Sequence, residues 1–343
     1  MKKLNKKFLL PLMVMAVLLV TVGCQGANTS ETAAVAETEA TAETTKDSQA
    51  EATEEAQDVQ EESGTRTVST VMGDIEVPAN PQRVVVNWYI GDVLALDLNV
   101  VGYNAWAHEA MPFYDKMMAT TGIENWEQEE VMALDPDLII TYSQDDYNTF
   151  NSIAPVLVVP EEGMTSLERV LFIGEATGRS EQAQAAVDTF NTKLDAAKET
   201  LEGDDFKGKT FSINEDWGSA SYGVYYETGS RGGTLLYEYL GLQKPEKLEQ
   251  LVEETGEGRG GLSYEVAAEY FGDYMIWFRP YDAVEDNPSE YELTPIWESL
   301  PAVQAGQVVT VPGNMSGLFY YSDVLSVTAQ LDYIIDKLNE VVK

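Results

Sequence analysis

Short apolar runs separated by amphipathic stretches set the rhythm of this chain from residue 84 onward. Val84 to Val86, Val100 to Gly102, Leu138 to Thr141 and Val156 to Val159 look like buried strands, with helical stretches fitting between them at Gly91 to Leu98 and Glu127 to Leu134. That alternation predicts α/β units built on parallel strands. A second set follows at Thr210 to Asn214, Val224 to Tyr226, Tyr274 to Phe278 and Val308 to Val311. The pattern therefore predicts an α/β fold of two similar lobes.

Between the two sets lies the most regular helical pattern of the chain, Glu181 to Glu202, with Ser180 as the expected cap and Gly203 as the expected stop. Ala183, Val187, Phe190, Leu194, Ala197 and Leu201 recur at spacings of three and four and so share one face. At the α-helical rise this helix spans about 33 Å, the width of a small domain. A shorter helix, Ser166 to Thr177, precedes it, with Thr165 and Glu168 at capping-box spacing. One stiff helix joining two lobes predicts limited closure around anything bound between them.

The first residues differ in kind. Lys2, Lys3, Lys6 and Lys7 precede an apolar run from Phe8 to Val22 that ends at Gly23-Cys24, the pattern of an export signal and too short for a membrane span. Thr21-Val22-Gly23-Cys24 resembles a bacterial lipobox, with threonine where leucine is commoner. That resemblance implies lipidation of Cys24, and a diacyl modification supplies the two chains that stable anchoring needs. From Gln25 to Gly64 the chain is Ala, Thr, Glu, Ser and Gln without an aromatic residue, a composition that cannot offset its ordering entropy. The expected organisation is a signal peptide over 1–23, an acidic disordered linker over 24–66, an N-terminal lobe over 67–165, connecting helices over 166–203 and a C-terminal lobe over 204–343. The protein is expected as a monomer on the outer face of the cell membrane.

The formal net charge of −37 argues against nucleic acid and anionic lipid surfaces as partners. Cys24 is the single cysteine, so no intramolecular disulfide can form. With one histidine, a multi-histidine zinc or manganese site is excluded. No G-x-S-x-G elbow, P-loop or H-E-x-x-H motif is present, so no enzyme activity is expected, although abundant carboxylates leave a glycosidase open.

Two stretches carry a family resemblance. Gly73-Asp74-Ile75-Glu76-Val77-Pro78, then Asn80-Pro81-Gln82-Arg83-Val84-Val85-Val86, resembles the opening of the iron-siderophore and cobalamin binding proteins of ABC importers, where a hairpin leads through N-P-x-R into the first core strand. Glu129 to Ile140, with its Leu134-Asp135-Pro136-Asp137-Leu138-Ile139 turn, is similar to the same family's helix, turn and strand. Tyr264-Glu265-Val266 and Tyr270 to Ile276 repeat that arrangement in the second half, so the matches span residues 68 to 342. The resemblance implies two Rossmann-like lobes joined by a single long α-helix, with a ligand cleft between the lobes. It implies capture of a ferric siderophore and delivery to the permease subunits of an importer.

A ferric hydroxamate already supplies six oxygens to its iron, so such a receptor needs no cofactor and no direct metal bond. Aromatic walls and one or two arginines suit the task, because a planar guanidinium donates several hydrogen bonds to hydroxamate oxygens. Gly229-Ser230-Arg231-Gly232-Gly233-Thr234 resembles the R-G-G stretch of hydroxamate receptors, which implies that Arg231 reaches the iron-bound oxygens. Some members carry tryptophan where Gly229 stands, so part of the aromatic wall is expected from Trp217, Tyr225 or Tyr226. Tyr320 and Tyr321 resemble the family's aromatic loop before the last helix. Trp88, Tyr89, Asn104, Trp106, Tyr142 and Arg279 follow expected strands at their carboxyl ends, where ligands of α/β sheets collect. Each of these aromatics reads equally well as core packing and Arg279 equally well as a partner of Asp282 or Glu285, while for Arg231 a surface ion pair is the lesser alternative. Glu129 and Glu265 match the glutamates with which the family docks on its permease. Haem, with His108 as a ligand, and corrinoids remain open as alternative cargoes, as does a purely structural surface protein. Tricatecholates are not expected as cargo, since they are strongly anionic and the chain offers few cations.

Overall fold

The computed structural model describes residues 64–281 and 287–342. The export signal, Cys24 and nearly all of the expected linker lie outside the described residues. The folded part opens with an antiparallel hairpin, β1 (Thr65–Thr70) against β2 (Gly73–Pro78). Residues 65 and 66 therefore belong to a strand rather than to the linker, because Thr65 pairs with Pro78 and Arg66 with Val77.

The first lobe follows from β3 (Val84–Asn87), β4 (Val100–Asn104), β5 (Thr121–Gly122), β6 (Leu138–Thr141) and β7 (Val156–Val158). They form one parallel sheet in the order β5-β4-β3-β6-β7. Side chains alternate across it: Val84, Val86, Leu138 and Ile140 face the main core, whereas Val85, Ile139, Val156 and Val158 form a separate outer cluster. Both faces being covered is why these strands read as unbroken apolar runs.

The second lobe repeats the strand order with β8 (Phe211–Asp216), β9 (Val224–Glu227), β10 (Arg259–Leu262), β11 (Tyr274–Phe278) and β12 (Val308–Val311), arranged β10-β9-β8-β11-β12. This sheet is mixed rather than parallel. β9 runs antiparallel to β8 and β10 antiparallel to β9, while β8, β11 and β12 are parallel. The cause is the short turn Trp217–Gly223, with Gly218 and Gly223 at positive φ, which leaves no length for a crossover helix.

The connecting helix Ser180–Leu201 lies between β7 and β8 and buries the six apolar residues of its predicted face. Its cap is Arg179 and not Ser180, which is already helical, because the chain turns through Gly178 at φ 73°. The helix ends at Leu201, and Gly203 does not adopt the left-handed stop conformation. Thr165 and Glu168 form the reciprocal capping box ahead of Ser166–Ala176.

This helix is not the single tie between lobes. The last helix, Val324–Val341, leaves the second lobe and packs along both the connecting helix and Ile90–Ala95 of the first. At that crossing Gly91 lies against the Asp323 carboxylate so closely that a Cβ would come within 2.1 Å of it. The Val324 amide donates to Asp92 at 3.3 Å, and Arg169 binds Asp92 at 2.6 Å. One continuous apolar core accordingly runs from the first lobe through the helices into the second.

Candidate functional site

At the carboxyl ends of β4, β8 and β11, where the lobes face each other, a cleft of about 570 Å³ opens. Trp106 stands on the first-lobe side, and Trp217, Tyr281 and Tyr320 on the second. Trp106 and Tyr320 meet with ring centroids 4.2 Å apart, and Tyr281 lies 5.4 Å from Trp106. Tyr320 and Trp217 are 40% and 44% exposed, an unusual state for large rings and one that leaves their faces available to a ligand.

Arg231 reaches the cleft from the loop after β9. Its side chain is 14% exposed and is gripped by Glu215, with Nε donating to Oε2 at 3.3 Å and Nη2 to Oε1 at 3.2 Å. Glu215, next to last in β8, is almost fully buried and holds the guanidinium through Nε and Nη2, and Arg231 lines the cleft. Arg231 sits at φ 54° and Gly232 at φ 87°. A Cβ on Gly232 would meet the Phe319 ring at 3.1 Å, and one on Gly233 would meet the Thr228 carbonyl carbon at 2.3 Å. The two glycines let the loop fold tightly enough to aim the arginine. Trp88, at φ 73°, shares this strained region of backbone, as do Asp97, Trp126 and Asp135 outside the cleft lining.

Two further carboxylates line the cleft. Asp216 is buried and accepts three hydrogen bonds, from Tyr264 Oη at 2.7 Å, the Tyr291 amide at 2.7 Å and the Gly218 amide at 3.0 Å. Glu290 is exposed and accepts from the Ser219 amide and hydroxyl, which hold its carboxyl below the usual range.

The remaining sequence-derived candidates divide between the cleft and its supports. Trp88 and Tyr142 adjoin the wall, with Trp88 stacked edgewise on Tyr320 at 5.9 Å and on Tyr142 at 6.5 Å. Tyr321 is a correction: it is only 6% exposed, donates its hydroxyl to the Trp106 carbonyl at 2.9 Å, and so holds the Trp106 segment from behind. Tyr89 also turns inward, donating to the Val159 carbonyl at 2.9 Å beneath the Arg169 guanidinium. Asn104 spends its amide on the Ile123 carbonyl, bracing the sheet edge. Arg279 is bound by both oxygens of Glu292, at 3.0 and 2.8 Å; its expected partners Asp282 and Glu285 lie outside the described residues. Tyr225 backs Trp217 at 5.4 Å and lies under Arg259, behind the wall and not on it. Tyr226 is buried. His108 is stacked on Trp106, and its Nδ1 accepts from the Ala110 amide.

Sequence reasoning missed Glu215, Asp216, Tyr281 and Glu290. A strand that ends in two acids immediately after buried apolar residues was a usable signal for the first pair; Glu290 gave none.

Glu129 and Glu265 are both exposed, each in the first turn of a helix, Gln128–Met132 and Tyr264–Ala267, that leads into a strand beside the centre of its sheet. They occupy matching places in the two lobes.

Comparison with known proteins adds to this picture. A model of the periplasmic binding protein family matches residues 94–315. The iron(3+)-hydroxamate-binding protein YxeB of Bacillus subtilis is 33% identical over 282 residues, covering 81% of this chain and 86% of the relative. The iron(3+)-hydroxamate-binding protein FhuD of the same organism is 30% identical over 289 residues, covering 80% and 87%. Among solved structures, FhuD2 from Staphylococcus aureus with bound ferrioxamine B superposes with a TM-score of 0.63 at 25% identity, covering 77% of this chain and all of that one.

Proposed function

The chain belongs to the periplasmic binding protein family, and from that premise we propose that it captures a ferric hydroxamate siderophore and passes it to the permease of an ABC importer. The observation that carries this reading is the aromatic cleft between the lobes with Arg231 held at its wall by Glu215. Hydroxamate ligands saturate their iron, so the receptor's work is to clasp a compact shape and to donate hydrogen bonds to the oxygens around the metal. Trp106, Trp217, Tyr281 and Tyr320 supply the apolar contact, with Trp88 and Tyr142 extending it at one edge. The Arg231 guanidinium, held by Glu215, supplies donors that are ordered before the ligand arrives, which lowers the ordering cost of binding. The site is one for binding; no cofactor enters the reading and the protein itself makes no bond to iron.

Glu129 and Glu265 serve in this reading as docking charges, one per lobe, that set the orientation of the carrier on its permease. Cys24 carries the lipid anchor and keeps a monomeric carrier at the outer face of the membrane.

Quenching of tryptophan fluorescence across a siderophore panel tests the proposal, since Trp106 and Trp217 stand on the cleft wall. Saturable quenching by ferric hydroxamates and a weak response to tricatecholates is the expected result. Tight catecholate binding with no hydroxamate response would overturn the ligand assignment, and a Soret band on mixing with haemin would favour haem instead.

A further inference from the structure

We propose that the cleft is built for ferric hydroxamates that carry a positive charge beyond their iron core, with Glu290 as the counter-ion for a pendant ammonium group. The inference rests on the reading of the cleft as a hydroxamate site and concerns which hydroxamates it takes.

Three hydroxamate anions neutralise one ferric ion, so the coordination core asks the protein for donors but for no net charge. Arg231 gives donors of that kind, and its own charge is already matched by Glu215 at 3.2 Å. Among the described residues lining the cleft, Arg231 is the one cation, against Glu215, Asp216 and Glu290. The nearby Arg279 is matched in the same way by Glu292 at 2.8 Å. The wall thus carries an excess of negative charge once its ion pair is set aside.

That excess is not equally available. Asp216 is buried with three donors already in place, and its role is to pin the turn at Gly218 and the segment at Tyr291. Glu290 is exposed and, among the described residues, takes its hydrogen bonds from Ser219, whereas a carboxylate has about four acceptor positions. It stands in the same cleft as Trp217, Tyr281, Trp106 and Tyr320, whose ring faces attract a cation that enters between them. Exposed rings beside an ionised carboxylate with unused lone pairs are the surroundings an alkylammonium tail requires. An anionic chelate meets the same carboxylate as a repulsion, so one residue both admits and rejects.

The test compares ferrioxamine B, which bears a free ammonium tail, with its N-acetylated form, which keeps the same iron core without the charge. Calorimetric titration of the purified protein is expected to give a preference for the charged form on the order of fivefold at low salt. Raising the salt concentration shrinks that preference, a measurement that needs no variant. In Glu290→Gln the two chelates bind with about equal affinity. A preference that survives in Glu290→Gln, or equal binding of both chelates by the wild-type protein, overturns the counter-ion. Failure of the wild-type protein to bind either chelate overturns instead the hydroxamate reading beneath it.

Discussion

Glu215 closes on Arg231 through both carboxylate oxygens, and the pair sits where the second sheet ends and the cleft begins. A buried acid that orients an arginine couples the stability of the lobe to the readiness of the site.

Arg231→Ala should therefore have two separable effects. Loss of charged hydrogen bonds to the chelate weakens binding by about 1.5 to 3 kcal/mol. Leaving Glu215 buried without its partner destabilises the protein by about 3 kcal/mol. Adding Glu215→Gln should restore part of the melting temperature and none of the affinity. Titration and thermal melting on the two variants decide this, and unchanged affinity in Arg231→Ala removes that residue from the site.

Tyr320 and Tyr321 are neighbours in sequence with opposite duties. Tyr320→Ala is expected to weaken ferrioxamine B binding by about 1 kcal/mol while melting near the wild-type temperature, because the ring it removes is exposed. Tyr321→Phe deletes the bond to the Trp106 carbonyl and should cost about 1 kcal/mol of stability. Equal effects of the two on stability would contradict the division drawn here.

Burial pushes the Asp323 carboxyl from an ordinary 3.8 up to about 6, with the neighbouring Asp92 adding to the effect. Between these values the native state holds more protons than the unfolded chain, so this group makes the protein less stable as pH rises from about 4 to about 6, by on the order of 3 kcal/mol in all. Asp323→Asn keeps an oxygen acceptor for the last helix's cap and removes the charge. Its melting temperature relative to wild type should climb through that window and level off above it. A difference that stays constant with pH would sink the assignment.

Glu129→Ala combined with Glu265→Ala should leave chelate affinity at the wild-type value and slow uptake into cells. Uptake at the normal rate would mean that these two charges do not orient the carrier.

How far the sequence could be read follows from what each residue type reports. Strands covered on both faces announced themselves as apolar runs, and Tyr274–Phe278 and Val308–Val311 begin and end where the runs do. Thr121–Gly122 is too short to carry a pattern, and Arg259–Leu262 is hidden by its two glycines. The reversal of β9 depended on the length of a turn, which periodicity does not register. At the site, position after a strand pointed to the end of each sheet where the cleft opens but not to the direction of a side chain, so Trp88 and Tyr320 reach the cleft edge while their neighbours Tyr89 and Tyr321 turn into the core. The acids of the cleft went unread for a different reason: with 58 acidic residues in the chain, composition drew no attention to Glu290 and masked the strand-end signal of Glu215 and Asp216.

The last helix gives the two lobes a common spine, wedged at Gly91 with no space above Asp323. A carrier built on such a spine is expected to keep nearly the same outline empty and full. On that expectation an importer would sense cargo by touching the chelate at the mouth or by the charge it brings, without waiting for a jaw to shut.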